Sequence, residues 1–157
     1  MRKIGVVTGT RADFGLLSRT ICLLQNAQNI ASVVFACGTH LSPEYGYTIS
    51  ELEESGVENI IPVEMLLSSK TRVGIAKSTG LATISFTDVF AYQNLDCILI
   101  LGDRFEIFAA AQAALFLNIP IAHIHGGEVT EGAFDEALRH SISKMASIHF
   151  PATESFA

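Results

Sequence analysis

The sequence predicts an α/β fold built on a parallel, doubly wound sheet, and three observations lead there. Short unbroken apolar runs recur, as in Cys97-Ile98-Leu99-Ile100-Leu101, and suit strands covered on both faces. Segments with helix-like apolar spacing separate those runs, and this alternation implies parallel strands joined by right-handed crossovers. No repeat, low-complexity stretch or internal linker interrupts the pattern, so residues 1–157 are expected to form a single domain.

Taken in order, Lys3 to Thr8 is expected as the first buried strand, and Gly9 to Gly15 as the turn into a helix reaching Gln25. Such a turn gathers free backbone N–H groups at a helix start and favours an anion, to which Arg11 can add a bidentate contact. A plain turn with a surface arginine is an equal reading, because the glycine pattern of a dinucleotide fingerprint is missing. Ala31 to Cys37 predicts a second strand ending in Gly38-Thr39-His40, with His40 either facing a ligand or bonded to backbone. A loop through Pro43 and a helix from Tyr47 to Glu54, stopped by Gly56, come next. Ile60 to Val63 predicts an edge strand, the place where Pro62 is tolerated. Leu66 to Arg72 reads as a polar loop able to close over a ligand, although Lys70 and Arg72 also suit plain solvated charges. Gly74 to Asn94 reads as a long helix with Ile75, Leu81, Ile84, Val89 and Phe90 on its core face and Gly80 weakening its middle. Beyond Asp96 come a strand to Leu101, a helix from Ile107 to Leu117, a strand from Ile119 to Ala122, a helix through Met145, and a last strand, Ile148 to Phe150. Pro151 to Glu154 resembles the start of a further helix.

Composition narrows the function. A formal charge of −6 leaves no basic stripe to neutralise phosphates, which argues against nucleic acid as partner. Mean hydropathy of +0.39 is high for a soluble domain and points to covered interfaces. No stretch of about 18 apolar residues predicts a transmembrane helix, and the run after Met1-Arg2-Lys3 stops too soon for a signal peptide. Cys22, Cys37 and Cys97 lack metal-like spacing and suit a reducing, cytoplasmic setting.

The chemistry gathers between Asp96 and His140. Two neighbouring parallel strands would bring Gly102-Asp103-Arg104 and His123-Ile124-His125-Gly126-Gly127-Glu128 to one sheet edge, where open α/β sheets bind ligands. Carboxylates and imidazoles in a partly dry cleft push one another's pKa values apart, so one can serve as base and another as acid. Asp103, His125, Glu128, Asp135 and Glu136 are the candidate proton carriers. Gly126 and Gly127 permit close backbone approach to a sugar or phosphate, and Arg104, Arg139 and His140 can hold an anionic substrate. Duller roles exist for each. Asp103 can cap the helix it opens, Asp135 and Glu136 suit a first turn, Arg139 can pair with Asp135 at i,i+4, and His123 can be a satisfied strand histidine. A metal site from His123, His125 and Glu128 is disfavoured, because adjacent strand positions face opposite ways.

Gly9-Thr10-Arg11-Ala12-Asp13, Gly38-Thr39-His40-Leu41-Ser42-Pro43-Glu44, Gly102-Asp103-Arg104-Phe105-Glu106, His123 to Glu128, and Asp135-Glu136-Ala137-Leu138-Arg139-His140 together resemble the hydrolysing UDP-N-acetylglucosamine 2-epimerases of sialic-acid and nonulosonic-acid biosynthesis. The resemblance implies a Rossmann-like domain that forms the N-terminal half of a glycosyltransferase-B type fold. The absent C-terminal domain would supply most of the nucleotide-binding surface, leaving this chain inactive alone, and the full-length protein is expected to be a homo-oligomer. The family's reaction removes the C2 proton while UDP leaves C1, giving a 2-acetamidoglucal. Water then adds at C1 and a proton returns to C2 from the other face, yielding N-acetylmannosamine and UDP. The resemblance implies no cofactor and no metal, acid/base roles for Asp103, the Asp135-Glu136 pair and the His125–Glu128 region, and a place for Arg11 near the diphosphate. Many relatives carry glutamate where this chain has His125, so His125 and Glu128 are alternative holders of that carboxylate's role, and the substrate can be a related diacetamido sugar or a GDP-sugar. A non-catalytic nucleotide-sugar binder and the acceptor half of a glycosyltransferase are the rival classes.

Overall fold

The computed structural model describes residues 1–126 and 134–154. Six strands, β1 (Arg2–Thr8), β2 (Ile30–Cys37), β3 (Ile60–Val63), β4 (Cys97–Leu101), β5 (Ile121–Ile124) and β6 (Ile148–Phe150), form one sheet in the order β3-β2-β1-β4-β5-β6. Every neighbouring pair is parallel. The order reverses between β1 and β4, so a crevice opens beyond their C-terminal ends, the position where Rossmann-like sheets bind ligands.

Strand alternation divides the core in two. Val6, Val34, Leu99 and Leu101 point to the side of α1 (Arg11–Gln25) and α2 (Ile49–Glu54) and pack on Leu17, Ile21 and Leu52. Val7, Phe35, Ile98 and Ile100 point the other way, onto α3 (Arg72–Ala91), α4 (Phe105–Phe116) and α5 (Asp135–Met145), where Phe86, Ile107 and Ile142 are buried. Adjacent residues of one strand therefore serve opposite layers, which is why these strands read as unbroken apolar runs. Phe35 needs the absence of a side chain across the sheet, since a Cβ on Gly5 would lie 2.8 Å from its ring. That ring meets Phe90 edge-on with centroids 4.9 Å apart.

Most expected elements are present within a few residues. The predicted core face of α3 holds in part: Phe90 is buried and Ile75 and Val89 are half-buried, but Ile84 is 62% exposed and Leu81 is also exposed, while Gly74, Ser78, Ala82 and Phe86 are buried. The helix is apolar nearly all round, so periodicity carries no direction. Small residues at 78 and 82 face inward because α3 packs closely on the alanine-rich α4. Gly80 does not interrupt it. The loop expected at 41–46 is wound into two short 3-10 turns, Gly38–Leu41 and Pro43–Tyr45. Pro62 sits in β3 at the sheet edge, as its missing N–H requires. Among the described residues no helix is long and apolar enough to cross a membrane.

Candidate active site

The register of β4 on β5 runs from Ile98 opposite Ile121 to Leu101 opposite Ile124, and Gly102 N–H continues it by donating to Ile124 O at 3.0 Å. Asp103 and the His125–Gly126 tip therefore leave the sheet side by side. Gly102 takes a φ of +77° and His125 a φ of +59°, the left-handed conformation that turns each chain sharply off its strand. The His125 N–H donates to Phe150 O at 3.0 Å, which fixes this turn to β6, and its side chain is exposed.

Asp103 does not cap α4, whose N-cap is Arg104. It instead pairs with Arg139 of α5 through Oδ2 and Nη2, joining residues 36 apart. Their side chains are only 18% and 11% exposed, so the pair is shielded from bulk solvent. Asp135 and Glu136 occupy the first turn of the same helix, where its N-terminus favours negative charge. Glu136 also lies 3.6 Å from His140 at i,i+4, and this histidine is exposed on the helix surface. Gly127 and Glu128 fall outside the described residues, so the choice between His125 and Glu128 is carried by neither geometry.

Beneath these tips His123 is fully buried and ties three elements together. Its Nε2–H donates to Gly102 O at 2.7 Å, and its Nδ1 accepts from the Ser143 hydroxyl at 3.1 Å, roles fixed by the carbonyl's inability to donate. Burial lowers its pKa and keeps the ring neutral. Gly126 passes so close that a Cβ there would lie 2.7 Å from Ser143 Oγ and 2.8 Å from His123 Nδ1. A satisfied strand histidine thus sets the turn from which Asp103 projects.

On the β1 side the expectations divide. Thr10 caps α1, its hydroxyl accepting from Asp13 N–H at 3.1 Å, and Arg11 opens the helix with its side chain mostly in solvent. Arg11 Nε meets Glu51 Oε2 at 2.9 Å, so a ligand would draw it from a weak surface pair. His40, expected at the ligand, is instead 0% exposed, with Nε2 on the Thr8 hydroxyl at 3.0 Å and Nδ1 on the Thr48 hydroxyl at 2.8 Å. Both ring nitrogens are engaged, and burial lowers its pKa. The histidine braces the turn after β2.

An open cleft of about 810 Å³ lies over the turns after β2, the loop after β3 and the start of α4. Ser42, Tyr45, Leu66, Ser69, Lys70, Arg104 and Glu106 line it. Lys70 spans its mouth, with Nζ 3.0 Å from Glu44 Oε1 and 5.4 Å from the centre of the Tyr45 ring. Glu106 stands in one of the motifs that carry the resemblance but has no role assigned to it from the sequence. It is completely buried in the first turn of α4, accepts from Arg104 Nε at 2.5 Å, and has its pKa raised by desolvation against the opposing pull of Arg104. The signal that marks it is a distant glycine, Gly9, whose missing side chain makes room for it. Among the described residues no group of three or more His, Cys, Asp or Glu is placed to hold a metal ion.

Comparison with known proteins finds relatives of this chain. The sequence profile described as UDP-N-acetylglucosamine 2-epimerase matches residues 23–157. A UDP-N,N'-diacetylbacillosamine 2-epimerase (hydrolyzing) of Legionella pneumophila is 43% identical over 156 residues, covering 98% of this chain and 41% of that protein. A GDP/UDP-N,N'-diacetylbacillosamine 2-epimerase (hydrolyzing) of Campylobacter jejuni is 41% identical over 154 residues, covering 98% of this chain and 40% of that protein. The crystal structure of the UDP-GlcNAc 2-epimerase from Neisseria meningitidis bound to UDP-GlcNAc superposes with a TM-score of 0.83 at 27% identity, over 97% of this chain and 40% of that one. The chain thus spans about two-fifths of the length of these relatives.

Proposed function

Because the chain belongs to the UDP-N-acetylglucosamine 2-epimerase family, we propose that it forms the acid–base wall of a hydrolysing 2-epimerase acting on a UDP-linked 2-acetamido sugar. The observation that carries this reading is the Asp103–Arg139 pair at the tip of β4, beside the His125 turn of β5 and below the acidic start of α5. A carboxylate held by an arginine in a shielded position keeps its aim, and it stands next to further groups that can exchange protons. The proposed reaction breaks the C2–H bond, the proton passing to a base on this wall, while the C1–O bond breaks and UDP departs with the electron pair. Water then supplies hydroxide to C1 of the glycal and a proton returns to C2 from the opposite face, leaving the free sugar with inverted C2.

Asp103, Asp135, Glu136 and either His125 or Glu128 are the proposed proton carriers. Arg11, Arg104, Arg139, Gly126, Gly127 and His140 are the proposed substrate contacts. His40 is assigned to bracing. The nucleotide would rest largely on a second domain, in the manner of glycosyltransferase-B enzymes, which makes residues 1–157 inactive alone, and homo-oligomer formation belongs to the full-length protein. The relatives at 43% and 41% identity are named for diacetylbacillosamine, whereas the Neisseria meningitidis serogroup B relative named for N-acetylglucosamine is 30% identical, which favours a diacetamido sugar as substrate. Full-length protein offered UDP-N-acetylglucosamine and UDP-N,N'-diacetylbacillosamine in deuterated water is expected to release UDP and a C2-inverted sugar carrying deuterium at C2. Sugar release without deuterium would point to a transferase or simple hydrolase, and binding without turnover to a non-catalytic module.

A further inference from the structure

Glu106 is costly where it stands. Its side chain is 1% exposed, Oε1 is engaged by Arg104, and Oε2 is buried with no hydrogen-bond partner among the described residues. A carboxylate placed for stability alone would have both oxygens satisfied, and a neutral side chain of the same shape would avoid the desolvation. The chain nevertheless makes special room for it. A Cβ on Gly9 would fall 2.7 Å from Glu106 Cγ and 2.7 Å from Oε1, and one on Gly38 would fall 3.4 Å from Oε1 and 2.9 Å from Gly9 O. The tip of β1 is bare where this acid lies against it, at the sheet's switch point.

What the acid touches is Arg104, the N-cap of α4, whose side chain is 44% exposed and lines the cleft. The bond runs through Nε at 2.5 Å, and among the described residues no other side chain is recorded on the guanidinium. We propose that Glu106 is a positioning residue: its buried carboxylate holds Arg104 by Nε, so that the terminal guanidinium nitrogens are presented to the cleft as a preset fork for the diphosphate of the nucleotide sugar. The inference rests on the reading of this cleft as part of the nucleotide-sugar site. An arginine fixed at one nitrogen loses less rotamer freedom on binding an anion, which is the benefit that offsets the buried charge.

The test is a double-mutant cycle on the full-length protein, read by calorimetric titration with UDP and by thermal midpoint. Arg104→Ala is expected to weaken UDP by about tenfold or more, the loss of a charge-assisted contact. Glu106→Gln keeps the shape, leaves the midpoint unchanged or higher, and is expected to weaken UDP about fivefold in the native background. In the Arg104→Ala background the same change is expected to alter UDP affinity by less than about twofold, because its route of action is gone. Equal weakening by Glu106→Gln in both backgrounds would overturn the inference while leaving Arg104 at the nucleotide. No weakening by Arg104→Ala would remove Arg104 from the nucleotide site and the inference with it. Should Arg104→Ala fail to fold around the uncompensated acid, Arg104→Gln serves in its place, since its amide still donates to the acid but brings no charge to the diphosphate, and Glu106→Gln is then expected to be silent.

Discussion

Asp103 and Arg104 are consecutive residues at one strand tip, yet their ion pairs do different work. Asp103 reaches 36 residues along the chain to Arg139 and ties the sheet to α5, with both partners mostly covered. Arg104 reaches only to Glu106, and the covering is lopsided, with the acid fully buried and the cation half in the cleft. The first pair fixes the wall of a site, and the second turns one charge outward. A pair shielded on both sides should matter to folding and chemistry together, whereas a pair with one exposed member should matter mainly to what the exposed member meets.

The largest effect is expected from Asp103→Asn. The amide keeps the volume and still accepts a hydrogen bond from Arg139, but it cannot take a proton. Turnover of the full-length enzyme is expected to fall by about 10²–10⁴, the usual range for a lost general acid or base. The thermal midpoint should drop by only a few degrees. A midpoint collapse with proportionate loss of activity would reduce Asp103 to a structural anchor.

Arg139→Ala sharpens the other half of the contrast, since it leaves the shielded Asp103 carboxylate without this cation. The expected cost is about 2–3 kcal/mol, below the value for fully buried pairs because both side chains retain some exposure. For a chain of this size that is roughly 5–10 °C in midpoint. Arg139→Met should cost less if packing of the Arg139 stem contributes, and a midpoint unchanged in both variants would show that α5 is held by Ile142 and its apolar neighbours instead.

These two pairs also show what a sequence discloses. Cys97–Leu101 is a strand where its apolar run places it, because a buried parallel strand needs little beyond apolar content. Ile148–Phe150, by contrast, is a strand at the sheet edge with all three residues exposed. The tips of β4 and β5 could likewise be set side by side from alternation alone. Arg139 as the partner of Asp103 was not legible, since i,i+4 spacing offered a local partner and only the fold brings α5 over β4. The burial of Glu106 was hidden for the same reason: it depends on Gly9, which follows another strand. The outward turn of Leu81 and Ile84 on α3 was hidden because apolar residues are spread round that helix with no preferred side.

The buried titrating groups give opposite pH signatures. His40 and His123 have lowered pKa values in the fold, so the unfolded chain takes up protons first as pH falls below about 6.5, and stability is lost from there toward the lowered folded values. Glu106 has a raised pKa, so its contribution declines as pH rises from the ordinary carboxylate value through the raised one. Urea midpoints of the native chain should therefore fall between pH 7 and pH 5.5. His40→Asn loses a bond to Thr8 or Thr48 and is less stable at pH 8, yet its curve should be flatter on the acid side, so the gap to the native protein narrows as pH drops. Parallel curves would show that His40 remains neutral across that range or is protonated without cost.

The smallest stability effect is expected at Arg11, a third charged pair that differs from both others in being largely in solvent. Arg11→Ala should cost less than about 1 kcal/mol, since exposed pairs are screened and their side chains give up entropy to meet. Its effect on UDP should depend on ionic strength, because a cation at the start of α1 attracts the diphosphate over a distance that salt shortens. In 20 mM salt the variant should bind UDP several-fold more weakly than the native protein, and in 500 mM salt the two should converge. Arg104→Ala, acting through a held contact inside the cleft, should retain most of its deficit in high salt. If Arg11 keeps its full deficit there as well, it touches the nucleotide directly, and its pair with Glu51 is a resting place that substrate displaces.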